Sequence, residues 1–259
     1  MRHAHIDAVA GMTFTVQTLT EREIAKTIDH SLLRPELDDA FVEDGCRLAA
    51  RYDVASVCVP PVHVARAKAI LAGTDVAVGT VVGFPHGYAT TATKVAETRE
   101  ALAEGATEID MVIQIGALKS GRDADVEADI RAVVEVAHAA GAIVKVIFEN
   151  HYLSPDEIVR ACRLTEAAAG DFVKTSTGFA ASGATHDDLR LMRASTSPHI
   201  GVKAAGGVRT LDAVIDVMNL GVTRIGATAT QAIIEDFRAR KTGASPVAAG
   251  SATATDGSY

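Results

Sequence analysis

One local pattern recurs along most of this chain: a short apolar, β-branched run followed by a stretch of helical periodicity. Strand-like runs fall at Thr27–His30, Ala55–Val59, Val76–Phe84, Glu108–Ile113, Ile143–Glu149, Phe172–Thr175, Ile200–Ala204 and Thr223–Gly226. Helix-like stretches follow at about 36–52, 61–72, 90–104, 123–140, 154–169, 185–194, 209–220 and 229–240. Helix starts carry their own chemistry: Ser154 stands before Pro155, and Thr185 and Thr210 precede acids in a first turn. Gly105, Gly141, Gly170 and Gly221 sit just past helices, where a left-handed cap favours a residue without a side chain. Eight such units in series predict an α/β fold closed into a (β/α)8 TIM barrel. The rival, a doubly wound open sheet, needs a glycine-rich turn after the first strand, and His30-Ser-Leu-Leu-Arg-Pro35 is no such turn.

A length of 259 residues suits a single domain of that kind. Residues 1–18 read as a flexible lead-in, 19–241 as the domain, and the Ala/Ser/Thr/Gly-rich 242–259 as a disordered tail. The net charge of −8 argues against nucleic acid as a partner but leaves room for a phosphorylated small molecule held by local donors. Cys46, Cys58 and Cys162 form no Cys-x-x-Cys pair, and the His residues show no metal-ligand spacing, so no metal site is expected. His30, His63 and His86 read as loop or structural residues. No apolar run reaches the length of a membrane span and the first residues lack a signal-peptide core, so a cytoplasmic location is expected.

Under the barrel reading, chemistry sits at the C-terminal ends of the strands. The polar residues there are Asp29, Cys58, Asp110, Glu149, Lys174 and Lys203. Alternation in Glu108-Ile-Asp-Met-Val-Ile113 sends Asp110 inward and Ile109 and Met111 toward the helices. Lys145 likewise interrupts an apolar run. An interior ion network that only stabilises the barrel is the bland alternative for any one of these residues. It fits Asp110, Lys174 and Lys203 together poorly, because aliphatic side chains fill a barrel at lower desolvation cost. Two ammonium groups roughly 5 Å apart at a dielectric near 20 repel by about 3 kcal/mol, which lowers a lysine pKa by roughly two units. The amine so freed can attack a carbonyl and form a Schiff base.

A phosphate site is indicated separately. Gly206 and Gly207 follow the seventh strand, Gly226 and Thr228 belong to the turn after the eighth, and Gly178 follows Lys174. Barrels hold phosphate at these loops through backbone N–H groups. Cys58 at a strand end reads as a reactive thiol or as a small buried residue, the second favoured. Arg209 reads as a phosphate contact or a helix cap, the cap slightly favoured.

Ile28-Asp-His-Ser-Leu-Leu33, Ser56-Val-Cys-Val-Pro60, Val81-Val-Gly-Phe-Pro-His-Gly87, Glu108–Ile113, Phe172-Val-Lys-Thr-Ser-Thr-Gly178 and Val202-Lys-Ala-Ala-Gly-Gly-Val-Arg-Thr210 together resemble the deoxyribose-phosphate aldolase family, from about residue 20 to about 238. The resemblance implies a class I aldolase without metal or cofactor, cleaving 2-deoxy-D-ribose 5-phosphate to D-glyceraldehyde 3-phosphate and acetaldehyde. It implies Lys174 as the Schiff-base lysine, Lys203 as the neighbouring cation and Asp110 as the proton carrier. Asp29, Lys145 and Cys58 would support them, in a cytoplasmic homodimer serving deoxynucleoside catabolism. Gln114, Asn150, Ala229 and Ser31 depart from the family's usual Asn, Thr, Ser and Thr. Two other expectations stay open: a related lysine-dependent aldolase with another phosphorylated substrate, and a non-catalytic phosphate-sugar binding barrel.

Overall fold

A computed structural model of the chain describes residues 13–243. The expected lead-in up to residue 12 and the expected tail from residue 244 lie outside the described residues. Strands β1 (Ile28–Ser31), β2 (Ser56–Val59), β3 (Ala77–Val82), β4 (Glu108–Val112), β5 (Ile143–Ile147), β6 (Phe172–Lys174), β7 (Gly201–Ala205) and β8 (Arg224–Ala227) are all parallel and pair in chain order. β8 pairs back on β1, with Asp29 opposite Gly226, and closes the barrel. The (β/α)8 expectation holds, and no strand boundary moves by more than a residue or two.

The helices of the outer ring are α1 (Glu21–Ala25), α2 (Asp39–Arg51), α3 (Val64–Ile70), α4 (Thr91–Glu104) and α5 (Ile115–Lys119). They continue with α6 (Asp123–Ala139), α7 (Pro155–Ala167), α8 (His186–Ala194), α9 (Leu211–Asn219) and α10 (Thr230–Lys241). The short α1 and α5 are too brief to show a helical period and were not expected. α1 stands on a capping box in which Thr20 and Glu23 each satisfy the other's backbone N–H. Ser154 and Glu157 do the same for α7, while Thr185 and Thr210 cap α8 and α9. The stretch expected as one helix over 61–72 splits into a 3₁₀ turn, Pro61–His63, and α3.

Gly105, Gly141 and Gly221 adopt positive φ as expected, but Gly170 does not. Ala169 takes the left-handed position there, at φ 63°. Gly170 is required for a different reason: a Cβ on it would come within 2.8 Å of Thr165 Cγ2 and 3.2 Å of Val146 Cγ2.

Ile109, Met111, Val144, Val146, Val173, Val202, Ala204 and Ile225 point outward from the strands and are buried against the helices. Small residues on the helices, among them Ala49, Ala67, Ala137 and Ala161, are also fully buried and let the ring approach closely. Phe14, within the expected lead-in, exchanges two hydrogen bonds with the Asn219 side chain, and Lys241 donates to the carbonyls of Val16, Gln17 and Leu19. The opposite side of each strand faces the barrel interior, and it is there that the charged residues meet.

Candidate active site

Parallel register levels the interior side chains. Lys174 lies opposite Lys203 across β6 and β7, and Asp110 lies opposite Lys145 across β4 and β5. Lys174 Nζ donates to Asp110 Oδ2 at 2.8 Å, and Lys203 Nζ donates to the same oxygen at 2.7 Å. Lys145 Nζ donates to the other oxygen, Oδ1, at 2.9 Å. Both candidate amines therefore share one carboxylate and one mouth.

A second tier lies beneath. Lys145 also donates to Glu108 Oε2 at 2.6 Å. Arg224 forks between Glu108, at 2.8 and 2.6 Å, and Asp29 Oδ1, at 2.7 Å. Lys203 approaches Asp29 Oδ2 at 2.5 Å and Lys145 approaches it at 3.3 Å, as ion pairs without hydrogen-bond alignment. Ser56 donates to Asp29 Oδ1 at 2.7 Å. Glu108 and Arg224 were not among the expected site residues. The signal for them was available, because each lies two residues from an inward residue on its own strand, Asp110 and Gly226.

The seven charged residues do not balance when all are ionised. Asp29, Glu108 and Asp110 face Lys145, Lys174, Lys203 and Arg224, one cation in excess. Burial is costly for every one of them, and their pairings decide which stay charged. Burial pulls Lys203 and Lys145 down, but Asp110 and Asp29 outweigh it and both lysine pKa values rise. Burial likewise acts on Arg224, and Asp29 and Glu108 carry it upward. The three carboxyls are lowered despite burial, Asp29 and Glu108 chiefly by Arg224 and Lys145, and Asp110 by Lys145, Lys174 and Lys203. Lys174 alone among the four cations is lowered. Burial is the largest cause, Asp110 opposes it, and Lys203 pushes it further down. The repulsion expected from Lys203 is present, but desolvation stands ahead of it. With Lys174 neutral, three anions face three cations.

Above this network opens a cleft. Asp29, Cys58, Lys174 and Lys203 form part of its lining, and Gly178, Gly206, Gly207, Gly226 and Thr228 line it as well. Asp110 and Lys145 lie below its floor rather than on it. Cys58 is buried, with burial lifting its thiol to about 11, which keeps it protonated at neutral pH. Arg209 lines the cleft too, and its residue neighbour Thr210, not Arg209, caps α9. His30 is structural: it is buried and its Nδ1 lies 2.9 Å from Thr230 Oγ1.

Of the departures from the family pattern, Ser31 lines the cleft, and Gln114, Asn150 and Ala229 do not. Gln114 precedes α5 and reaches Thr91 Oγ1 at 3.4 Å. Asn150 donates to Met192 Sδ, and its Oδ1 has no hydrogen-bond partner. Ala229 is the N-cap of α10 and offers no side-chain cap. Among the described residues no group of three or more His, Cys, Asp or Glu side chains could hold a metal ion, and no helix is long and apolar enough to cross a membrane.

Fold and site together define a class: a parallel (β/α)8 enzyme with a buried amine at the carboxyl end of its strands. The chain belongs to the DeoC/LacD family of aldolases, whose family model matches residues 24–244. It is 51% identical over 215 residues to a deoxyribose-phosphate aldolase of Geobacillus sp. (strain WCH70), spanning 83% of this chain and 96% of that protein. It is 52% identical over 211 residues to deoxyribose-phosphate aldolase 2 of Bacillus licheniformis, spanning 82% and 94%. A solved tetrameric deoxyribose phosphate aldolase from Aeropyrum pernix superposes with a TM-score of 0.79 at 27% identity, covering 85% of this chain and 93% of that one.

Proposed function

We propose that this chain reversibly cleaves 2-deoxy-D-ribose 5-phosphate to D-glyceraldehyde 3-phosphate and acetaldehyde through a Schiff base on Lys174. The observation that carries the assignment is geometric: Lys174 and Lys203, opposite each other on β6 and β7, both reach Asp110 Oδ2 where they line one cleft, and burial with the Lys203 charge lowers Lys174. A neutral amine is a nucleophile and an ammonium is not.

In the open-chain sugar, the Lys174 nitrogen adds to the C1 aldehyde and water leaves, giving an iminium. Asp110, held ionised by three lysines below the cleft, enters as a base through a water, which relays the proton released from the C3 hydroxyl. The C3 oxygen then becomes the carbonyl of glyceraldehyde 3-phosphate as the C2–C3 bond breaks. The bonding pair moves onto C2 and the iminium nitrogen accepts the displaced electrons, forming an enamine. Proton return to C2 and hydrolysis release acetaldehyde and restore the amine. Lys203 keeps its charge, orients Asp110 and lowers Lys174, while Asp29 and Lys145 hold both in place. Cys58 lines the pocket as a neutral thiol. The phosphate is assigned to Gly178, Gly206, Gly207, Gly226 and Thr228, which line one cleft with Lys174; Gly226 does so from within β8.

The proposal also takes in a single catalytic unit over residues 19–241, read from the strand–helix pattern, a cytoplasmic location, and a homodimer implied by the resemblance. Light scattering tests the dimer, and a tetrameric mass, as for the Aeropyrum pernix aldolase, would replace it. The activity is tested by incubating the protein with deoxyribose 5-phosphate and following acetaldehyde release. Turnover by the native chain and its loss in Lys174→Ala are expected. A chain that binds the sugar phosphate equally well with or without Lys174 and never turns it over would be a binding barrel instead.

A further inference from the structure

The strand that carries Lys145 ends in an unusual way. Ile147 is the last residue of β5, and Phe148 still donates to the Lys174 carbonyl at 3.0 Å. Glu149 then turns into the left-handed region, at φ 57° and ψ 66°. That conformation costs a residue with a side chain about 1 kcal/mol or more, and it persists only where surrounding contacts fix it. Asp53 and Ala169 are the other described non-glycine residues with positive φ, and both follow helices that precede a strand, away from the strand ends that bear the site.

The Glu149 carbonyl accepts from the Tyr152 N–H at 3.0 Å, and the side-chain contacts lead to one turn. Asn150 N–H donates to the Thr175 carbonyl at 2.9 Å, which holds the end of β5 against the end of β6. The Glu149 carboxylate, only 2% exposed, accepts from the Thr177 N–H at 3.3 and 3.4 Å and from the Thr177 hydroxyl. That same hydroxyl oxygen accepts from the Phe179 N–H at 3.0 Å. Between them Gly178 takes φ 93°. Thr177 and Gly178 line the cleft, and the Phe179 ring meets Phe84 edge-on at 5.3 Å. Phe84 in turn packs on Leu33, Cys58 and Val81 at the same mouth.

We propose that Glu149 is a positioning residue for the phosphorylated end of the substrate: its buried carboxylate holds the Thr177–Phe179 turn in the shape that forms one wall of the cleft. The assignment rests on the aldolase reading of the site above. Its donors lie in the turn, not on the reacting amine, so Glu149 acts through Thr177 and Gly178 and not on the bond being broken. Removing the carboxylate orphans the Thr177 N–H in a buried position, and the turn is then free to relax toward other partners.

The test measures two quantities on Glu149→Ala and Glu149→Gln: the KM for deoxyribose 5-phosphate, and the rate at which borohydride traps acetaldehyde on Lys174. Glu149→Ala is expected to raise KM by about tenfold, the worth of one hydrogen bond to a charged group. Trapping, which involves no phosphate, is expected to slow by a smaller factor. Glu149→Gln keeps the volume and one acceptor oxygen, and should recover part of the KM loss. If Glu149→Ala does not fold, Glu149→Gln is read alone, with a KM rise of about threefold expected. Equal changes in KM and trapping rate, or an unchanged KM, would overturn the assignment. Failure of the native chain to trap acetaldehyde on Lys174 at all would instead overturn the aldolase reading.

Discussion

Replacing Lys203 with leucine separates the two influences that lower Lys174. Both amines donate to Asp110 Oδ2, at 2.8 and 2.7 Å, so the two nitrogens stand roughly 5 Å apart or closer. At an effective dielectric near 20 their repulsion is about 3 kcal/mol, or about two pKa units on Lys174. The substitution also relieves Asp110 of one partner, which strengthens its pull on the Lys174 proton. Both changes have the same sign and favour the ammonium. Since only the free amine reacts, the rising limb of the pH profile must move to higher pH. The assay is the rate of borohydride trapping with acetaldehyde, measured across pH for the native chain and for Lys203→Leu. The expected result is an upward shift of about two units, with slower trapping at neutral pH. A midpoint that stays put or moves down would assign the whole depression to burial and refute Lys203 as a tuning residue.

Asp110→Asn removes the carboxylate that three lysines share. It should cut turnover by several orders of magnitude and destabilise the fold by about 3–5 kcal/mol, read by chemical denaturation. Arg224→Met leaves Asp29 and Glu108 short of their shared cation and should cost a similar amount, although Arg224 does not line the cleft. His30, whose pKa burial lowers to about 4, is neutral in the fold at pH values where the unfolded chain protonates it. Stability should therefore fall as pH drops from about 6.5 to about 4, by up to about 3 kcal/mol, and His30→Gln should flatten that part of the profile. Ala169→Gly relieves a left-handed alanine and should raise the melting temperature slightly, consistent with a gain of about 0.5–1 kcal/mol.

The barrel was legible because strand and helix alternate at short range, and caps such as Ser154 and Thr210 mark where each helix begins. Asp110, Lys174 and Lys203 were legible for the opposite reason, since each breaks an apolar pattern that a structural strand would keep. Glu108 and Arg224 were harder to see because they lie a full pleat deeper than the strand ends, where two-residue alternation is the only clue. Gly170 shows a related limit. Its place after a helix resembles a cap, but the close approach of Thr165 and Val146 arises from elements that meet only in three dimensions. The order of influences on Lys174 was hidden in the same way. Repulsion between two lysines can be worked out from strand spacing, whereas depth of burial depends on how the whole barrel closes.

The most direct measurement is peptide mapping after borohydride reduction of the native chain with acetaldehyde at neutral pH. Lys174, whose pKa alone among the barrel cations is lowered, is expected to be the one barrel lysine that is ethylated. Modification of Lys203 or Lys145 in its place, or no modified lysine in the barrel, would contradict the account.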